Sequence, residues 1–199
     1  MIVEFRKLLL LGFVAFFVIT CDNSMYESPD PGILRVVLSS DPADTVVTIA
    51  SKRFVVSNDD SLGVKIFQGK VYHDTVYSFL YRTLLSYKQE EIVYNIIKLC
   101  DGGGYENHKI FESYVPPVKY DRIQFGLNPT VLRLSGYIQI DVINEGDVDL
   151  YMDIQTEFEV FEHETTEVVL EIKPLQSLVR YRDTYIFKPV INVKEINYR

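Results

Sequence analysis

Most of the chain after residue 32 consists of short apolar runs separated by clusters of turn-forming residues. The apolar runs cover residues 33–38, 45–50, 53–56, 64–67, 168–172 and 185–193. The clusters between them are rich in Ser, Asn, Asp, Gly and Pro, which favour turns. Short runs rich in β-branched and aromatic residues, with turn signals between them, are typical of sandwiches and barrels. The pattern predicts an all-β fold, an antiparallel β-sandwich.

Residues 136–158 show the clearest strand pattern. Ile138, Ile140 and Val142 alternate with polar neighbours, which is the period-two signature of a half-buried strand. The segment 144–147 follows as a predicted hairpin loop in which Gly146 supplies a positive φ. Residues 148–158 are then predicted as the return strand. The apolar set is expected to face the core, while Tyr137, Gln139 and Asp141 face solvent.

Residues 76–99 fit two interpretations. As strands, they place Tyr77, Phe79 and Tyr81 on one face; as a helix, they place Val76, Leu80, Leu84 and Tyr87 near one side. Aromatic and β-branched residues favour strands. We therefore predict two strands, with a helix as the alternative.

The N-terminus has the pattern of an export signal. Arg6 and Lys7 precede an apolar run at 8–19 that only Gly12 interrupts. As a helix, residues 8–21 would extend about 20 Å, less than the roughly 30 Å of a bilayer's hydrocarbon core. The segment is therefore predicted to be a secretory signal rather than a permanent membrane span.

The end of this run, Val18-Ile19-Thr20-Cys21, resembles the lipobox of bacterial lipoproteins. Thr20 stands where that family usually has Gly, Ala or Ser. The resemblance implies a signal peptide at 1–20, cleavage before Cys21, and lipidation of Cys21 by diacylglyceryl and fatty acyl groups such as palmitate. Several acyl chains give a stable membrane anchor. An ordinary secretory signal that ends in cysteine is the alternative.

The predicted mature chain divides into a tether at 21–31, which contains Pro29 and Pro31, and a domain at 32–196. The formal net charge is −8, and it becomes −9 when Glu4, Arg6 and Lys7 leave with residues 1–20. Nucleic acid needs basic patches, so we expect no nucleic-acid partner. We expect membrane contact through the lipid alone, with an envelope protein or a glycan as the class of partner.

Several segments of the mature chain together resemble a domain-of-unknown-function family of bacterial lipoproteins. They are the strand 32–38 with Asp41-Pro42-Ala43, the strand 94–99 with a glycine loop at 101–104, the segment 114–127, Ser177-Leu178-Val179 and Lys188-Pro189-Val190-Ile191. The resemblance implies a β-sandwich, loosely like the transthyretin-type regulatory domains of carboxypeptidases. It implies no known activity.

The sequence holds no common catalytic motif: no G-x-S-x-G, H-E-x-x-H, P-loop or C-x-x-C. His73, His108 and His163 lie far apart along the chain and are expected to be scattered surface residues. We therefore predict a binding or structural module without catalysis or cofactor. The alternative is an enzyme whose carboxylates or histidines converge only in the fold, and a histidine inside a carboxylate-lined cleft would favour it.

The remaining chemical candidates are expected to be structural. The densest oxygen-rich stretch consists of Asp141, Asn144, Glu145, Asp147, Asp149 and Asp153. It lacks the EF-hand order, so we predict a solvated face and no metal, with calcium as the alternative. Cys100 is expected to be buried, and residues 102–104 to form a flexible glycine loop. The fourteen tyrosines and twelve phenylalanines are expected mainly in the core, although exposed rows can stack on sugars or proteins.

Overall fold

Fourteen β-strands and one short 3-10 helix make up the regular structure of residues 28–199, the part of the chain that the computed structural model describes. The strands are β1 (Gly32–Ser40), β2 (Val46–Ile49), β3 (Lys52–Val55), β4 (Ser61–His73), β5 (Val76–Leu80), β6 (Ile92–Asn95), β7 (His108–Val115), β8 (Lys119–Leu134), β9 (Ile138–Ile143), β10 (Tyr151–Glu159), β11 (Thr165–Ile172), β12 (Leu178–Tyr181), β13 (Thr184–Phe187) and β14 (Ile191–Tyr198). The 3-10 helix covers Glu145–Asp147. The all-β prediction is confirmed.

The strands form two main sheets. The small sheet has the order β14-β11-β1-β7, and the large sheet has the order β12-β13-β9-β8-β4-β5. Strand β10 also pairs with β8, β6 pairs with β4, and β2 and β3 form a separate hairpin. Because β4 and β8 are 13 and 16 residues long, each can pair with two shorter strands along one edge.

The core lies between the two sheets. Val36 and Leu38 of β1 are fully buried, and so are Phe125 and Leu127 of β8. Phe111 of β7 packs edge to face against Phe125, with 6.1 Å between ring centroids, and so joins the small sheet to the large one. Burial of apolar side chains from both inner faces holds the sandwich together.

Two buried carboxylates fix the turns between strands. Asp44 follows β1 and accepts a hydrogen bond from the backbone N–H of Leu175 at 2.7 Å. Asp60 precedes β4 and accepts hydrogen bonds from the backbone N–H groups of Ser57 at 2.8 Å and Ser135 at 2.6 Å. Buried carboxylates need such donors to offset desolvation. These aspartates therefore have structural roles.

The predicted hairpin within residues 136–158 is wrong, although both of its strands exist. Strand β9 pairs with the last residues of β8, and β10 pairs with the first. The segment between them carries the chain along the same edge of β8 instead of reversing it. Gly146 does adopt a positive φ of 77°, but within the 3-10 helix.

The two faces of β9 are as predicted. Val142 is buried, and Ile138 and Ile140 are half-buried and pack against the core. Gln139 and Asp141 are exposed. The period-two pattern therefore identified the strand and its orientation, even though its partner was different.

Residues 76–99 form two strands, β5 and β6, as predicted, and a connection lies between them. The predicted run at 185–193 is two strands, because it breaks at Lys188 and Pro189 between β13 and β14. The sheets are also not wholly antiparallel: β1 pairs with β11 in parallel, and β13 pairs with β9 in parallel. Both parallel pairs join strands far apart in sequence, which gives the chain room to cross over.

Candidate functional site

Cys21, the predicted lipidation residue, lies outside the described residues, as does the predicted signal peptide at 1–20. The described chain begins at Ser28, and β1 begins at Gly32. At this end of the sandwich, the N–H of Ile33 donates to the carbonyl of Glu164 at 2.9 Å. We call the end of the sandwich that contains Gly32, Ile33 and Glu164 the tether end. Within residues 28–199, no helix is long and apolar enough to cross a bilayer.

The three histidines lie on separate elements and do not converge. In His73, Nδ1 is 2.7 Å from the carbonyl oxygen of Lys119. In His108, Nε2 is 3.0 Å from a carbonyl oxygen of β6, and in His163, Nε2 is 3.1 Å from Oδ2 of Asp30. A carbonyl oxygen only accepts hydrogen bonds, so the facing nitrogens of His73 and His108 carry the proton.

One of these histidines does lie in a carboxylate-lined groove. The groove has a volume of about 450 Å³ and is lined by His73, Asp74, Lys119, Tyr120, Asp121, Glu157, Phe158, Glu159 and Tyr198. Nε2 of His73 is 4.0 Å from Oδ2 of Asp74, and the N–H of Asp74 donates to Asp121 at 2.7 Å. Among the described residues, no three His, Cys, Asp or Glu side chains are placed to hold a metal ion. His73 is therefore the histidine that still supports the alternative prediction of an enzyme.

The acidic stretch is spread over several elements. Asp141 lies in β9, Glu145 and Asp147 in the 3-10 helix, Asp153 in β10, and Asn144 and Asp149 in the connections. Individual members have partners elsewhere: Glu145 lies 3.1 Å from the ammonium of Lys188, and Asp149 accepts a hydrogen bond from Asn128 at 2.6 Å. Asp141, Glu145, Asp149 and Asp153 are exposed, and Asn144 joins Asp149 through Asn128, to which it donates at 2.7 Å.

The prediction that Cys100 is buried is wrong. Cys100 is exposed and opens a tight turn, in which its carbonyl accepts from the N–H of Gly103 at 3.0 Å. Its neighbour Leu99 packs against the core, and the chain then directs the following side chain outward. Gly103 and Gly104 have φ values of 86° and 78°, so this glycine loop is a turn that needs positive φ.

The most distinctive surface is the outer side of the large sheet. Three rows of residues lie across strands β5, β4, β8 and β10: Phe79, Lys70, Gln124 and Asp153; Tyr77, Tyr72, Arg122 and Gln155; and Phe67, Gly126 and Tyr151. Val71 and Ile123, which alternate with these residues, are fully buried in the core. The rows therefore face away from the core. We call them the aromatic face.

Three aromatic rings of this face are open to solvent. Tyr77 is 45% exposed, Phe79 is 42% exposed and Tyr151 is 46% exposed. Tyr77 contacts Phe79 at 5.3 Å and Tyr72 at 5.5 Å between ring centroids, so β4 and β5 carry a continuous aromatic strip. Aromatic contacts at these distances hold the rings in place.

The strip of Tyr72, Tyr77 and Phe79 is one aromatic platform of the face. The third row forms a second aromatic platform. Tyr151 packs edge to face on Phe67, with 5.7 Å between centroids. The Phe67 ring lies directly over Gly126, where a Cβ atom would be 2.3 Å from it. Only glycine at this position of β8 lets the ring lie flat on the sheet.

Cations of the aromatic face are held by its own rings and carboxylate. The ammonium of Lys70 is 4.7 Å from the ring centroid of Tyr77, and the guanidinium of Arg122 is 3.9 Å from that of Tyr72. Arg122 also lies 3.5 Å from Asp153. Each cation of the face therefore has a partner within it, an aromatic ring for Lys70 and both a ring and a carboxylate for Arg122.

Amide and hydroxyl groups fill the remaining positions. The hydroxyl of Tyr72 donates to Oε1 of Gln124 at 3.1 Å, and that of Tyr151 donates to Oε1 of Gln68 at 2.8 Å. The amide of Gln155 donates to the same carboxylate that Arg122 approaches, at 3.3 Å. These contacts orient the polar groups between the two aromatic platforms, so that donors and acceptors are presented at defined positions.

The outer side of the small sheet is different, because a network of ion pairs lies at its centre and Tyr114 is its exposed aromatic ring. Arg35 in β1 donates to Glu112 at 2.9 Å and to Glu167 at 3.2 Å. Lys109 also pairs with Glu112, and Arg199 pairs with Glu167. Burial acts to raise the pKa of Glu112, but hydrogen bonds from Lys109 and Arg35 outweigh it and lower that pKa. The charged side chains at the centre of this surface therefore pair with one another.

The sequence held part of the signal for the aromatic face. The predicted strand interpretation of residues 76–99 placed Tyr77, Phe79 and Tyr81 on one face; the structure confirms this for Tyr77 and Phe79, whereas Tyr81 follows the end of β5. The prediction that aromatics serve mainly the core did not separate these rings from buried ones such as Phe125 and Phe187. The run Val76–Leu80 lacks the apolar–polar alternation that marks the inward side of β9, so its sequence alone did not show which side of the strand faces outward.

Comparisons with known proteins give no relative for this chain: no family model matches it, and neither a curated protein nor a solved structure is similar to it.

Proposed function

We propose that this protein is a lipid-anchored module of a bacterial cell envelope that binds a partner through the aromatic face and performs no catalysis. The observation that carries the proposal is the contrast between the two outer surfaces. The outer side of the small sheet carries a network of ion pairs around Arg35 and one exposed ring, Tyr114, whereas the aromatic face of the large sheet presents three exposed rings, Tyr77, Phe79 and Tyr151. Exposed aromatic groups bordered by oriented polar groups are typical of recognition surfaces.

The resemblance of residues 18–21 to a lipobox supports the anchor. A tether of eleven residues, 21–31, reaches at most about 40 Å when fully extended. His73 of β4 and Lys119 of β8 line the groove, and the residue before Lys119, Val118, accepts a hydrogen bond from the N–H of Val160, which lies beside Gly32 at the tether end. With a lipid on Cys21, the aromatic face would extend away from the membrane along these strands and remain accessible from the side.

Substituting Cys21 tests the anchor. We expect Cys21→Ser to incorporate no radioactive palmitate and to leave the membrane fraction, because the thiol is the site of acylation. Wild type is expected to be labelled and sedimented with membranes. Cys100→Ser serves as the control, because Cys100 is the other cysteine of the chain. This variant should behave as wild type. Equal labelling of Cys21→Ser and wild type would contradict the lipoprotein proposal.

A retention experiment tests the aromatic face. Full-length protein in detergent micelles is mixed with washed envelope fragments of the native cell, and the bound fraction is measured after sedimentation. We expect Tyr77→Ala/Phe79→Ala to lose about tenfold or more of the retention, because two stacking groups are removed. The control is Tyr114→Ala/Tyr137→Ala, which removes two exposed aromatic rings outside the face. Equal retention of all three proteins would refute a role for this face.

One observation favours the alternative, an envelope enzyme. His73 lies in the groove with Asp74, Asp121 and Glu157, and its Nδ1 donates a hydrogen bond to a carbonyl oxygen. This leaves Nε2 available as a general base. An activity of the wild-type protein that His73→Asn abolishes, while the circular dichroism spectrum is unchanged, would establish this alternative.

A further inference from the structure

We infer that the ligand of the aromatic face is a neutral oligosaccharide, a few sugar rings laid across strands β5, β4, β8 and β10. This inference depends on the proposed binding function and specifies its ligand. Three properties of the face carry it: the spacing of its aromatic platforms, the character of the groups between them, and its area.

The exposed rings of the two aromatic platforms lie on the two outermost strands of the face. Tyr77 and Phe79 lie on β5, and Tyr151 lies on β10. Three strand spacings separate these strands, which corresponds to about 14 Å along the hydrogen-bonding direction. A chain of several sugar rings can place one ring on each platform, because the apolar face of a sugar stacks on an exposed aromatic ring. A single small molecule would reach one platform only.

The groups between the platforms suit hydroxyl-rich, uncharged ligands. Gln124, Gln155 and Asp153 present amide and carboxylate atoms, and a sugar hydroxyl both donates and accepts hydrogen bonds. The cations are already engaged, Lys70 with the ring of Tyr77 and Arg122 with Asp153. The face therefore offers no free cluster of positive charge to an anionic chain such as nucleic acid or a polyuronate.

The area argues against a protein or a second copy of this chain. Four strands at about 4.8 Å and four residue steps along a strand give a footprint of roughly 19 Å by 13 Å, about 250 Å². A stable protein interface covers about 800 Å² on each partner. The next residues along the sheet include two internally bonded pairs, Lys65 with Glu91 and Asn128 with Asp149, and one exposed apolar side chain, Val93. The formal net charge of −8 also opposes self-association.

Direct titration with defined sugars tests the inference. The probes are the neutral tetrasaccharides of β-linked glucose, α-linked glucose and β-linked N-acetylglucosamine, with tetragalacturonate as the anionic comparison. Binding to the full-length protein, in a detergent without a sugar head group, is measured by calorimetry and saturation-transfer NMR. We expect at least one neutral tetrasaccharide to bind with a micromolar to millimolar Kd, and tetragalacturonate to bind at least tenfold more weakly.

The same variants connect the binding to the face. Tyr77→Ala/Phe79→Ala should weaken binding by about tenfold or more, and Tyr151→Ala should weaken it as well, because the platforms act on one ligand. Tyr114→Ala/Tyr137→Ala should leave Kd within about twofold of wild type. No neutral probe bound at millimolar concentration, or binding that is insensitive to all three face residues, would overturn the inference.

Pretreated envelope fragments separate this inference from the proposed function. If the ligand is a glycan, periodate oxidation of the fragments should abolish retention of the protein, and protease digestion should not. Retention that protease abolishes and periodate does not would overturn the oligosaccharide ligand while leaving the binding function intact. Retention that neither treatment changes, and that Tyr77→Ala/Phe79→Ala does not reduce, would overturn both.

Discussion

Val142→Asp should unfold the protein, whereas Gln139→Asp should leave its stability almost unchanged. Val142 is buried in β9 within the main core, and Gln139 lies three residues earlier on the exposed side of the same strand. An isolated carboxylate in the core costs several kcal/mol, of the order of the roughly 5–15 kcal/mol that stabilises an ordinary domain. An exposed polar substitution changes stability by less than about 0.5 kcal/mol.

Urea unfolding of the full-length protein measures this difference. Because Val142→Asp is expected to fold incompletely, Val142→Ala provides a milder comparison with an expected loss of about 2 kcal/mol. The midpoint of Gln139→Asp should agree with wild type. Similar losses for Gln139→Asp and Val142→Ala would mean that β9 is not a one-sided strand against this core.

The sequence predicted the strands better than their partners. The alternation of Ile138, Ile140 and Val142 gave both the existence and the inward side of β9, because side-chain direction is a local property of an extended chain. Pairing is not local. The same pattern suggested a β9–β10 hairpin, but β8 is long enough to pair with both strands on one edge. The parallel pairing of β1 with β11 could not be predicted from a local pattern either, because the two strands lie far apart in the sequence.

The candidate site was predictable only in part, for the same reason. Period-two spacing placed Tyr77 and Phe79 together, but their position opposite Tyr72 and Arg122 depends on the registers of β4 with β5 and β8. Cys100 shows a related error. Residue type alone favoured burial, whereas its place in a tight turn exposes the thiol.

Alkaline pH should destabilise the protein through two buried tyrosines. Burial raises the pKa of Tyr105 to about 12, and the negative charges of Asp44 and Asp41 add to the effect. Burial likewise raises the pKa of Tyr120 to about 12. Both phenols are buried and donate to main-chain carbonyls, Tyr105 to Asp44 at 2.7 Å and Tyr120 to Pro116 at 2.8 Å.

The direction of the effect follows from proton linkage. The folded protein holds these two protons more tightly than the unfolded chain does, whose tyrosines ionise near pH 10. The stabilisation is therefore fully present below about pH 10 and is lost as the pH rises towards about 12. Two pKa units correspond to about 2.7 kcal/mol for each residue, or about 5 kcal/mol for Tyr105 and Tyr120 together.

Urea unfolding at about pH 9 and about pH 11.5 tests this linkage when wild type is compared with Tyr105→Phe/Tyr120→Phe. At about pH 9 the variant should be less stable by about 2 kcal/mol, because two hydrogen bonds are lost. Between the two pH values wild type should lose several kcal/mol more than the variant, which has no phenol at either position. Other tyrosines and the lysines titrate in both proteins, so their contribution cancels in the comparison. An equal loss in both proteins would show that Tyr105 and Tyr120 do not hold their protons through folding, and would contradict their placement against the carbonyls of Asp44 and Pro116.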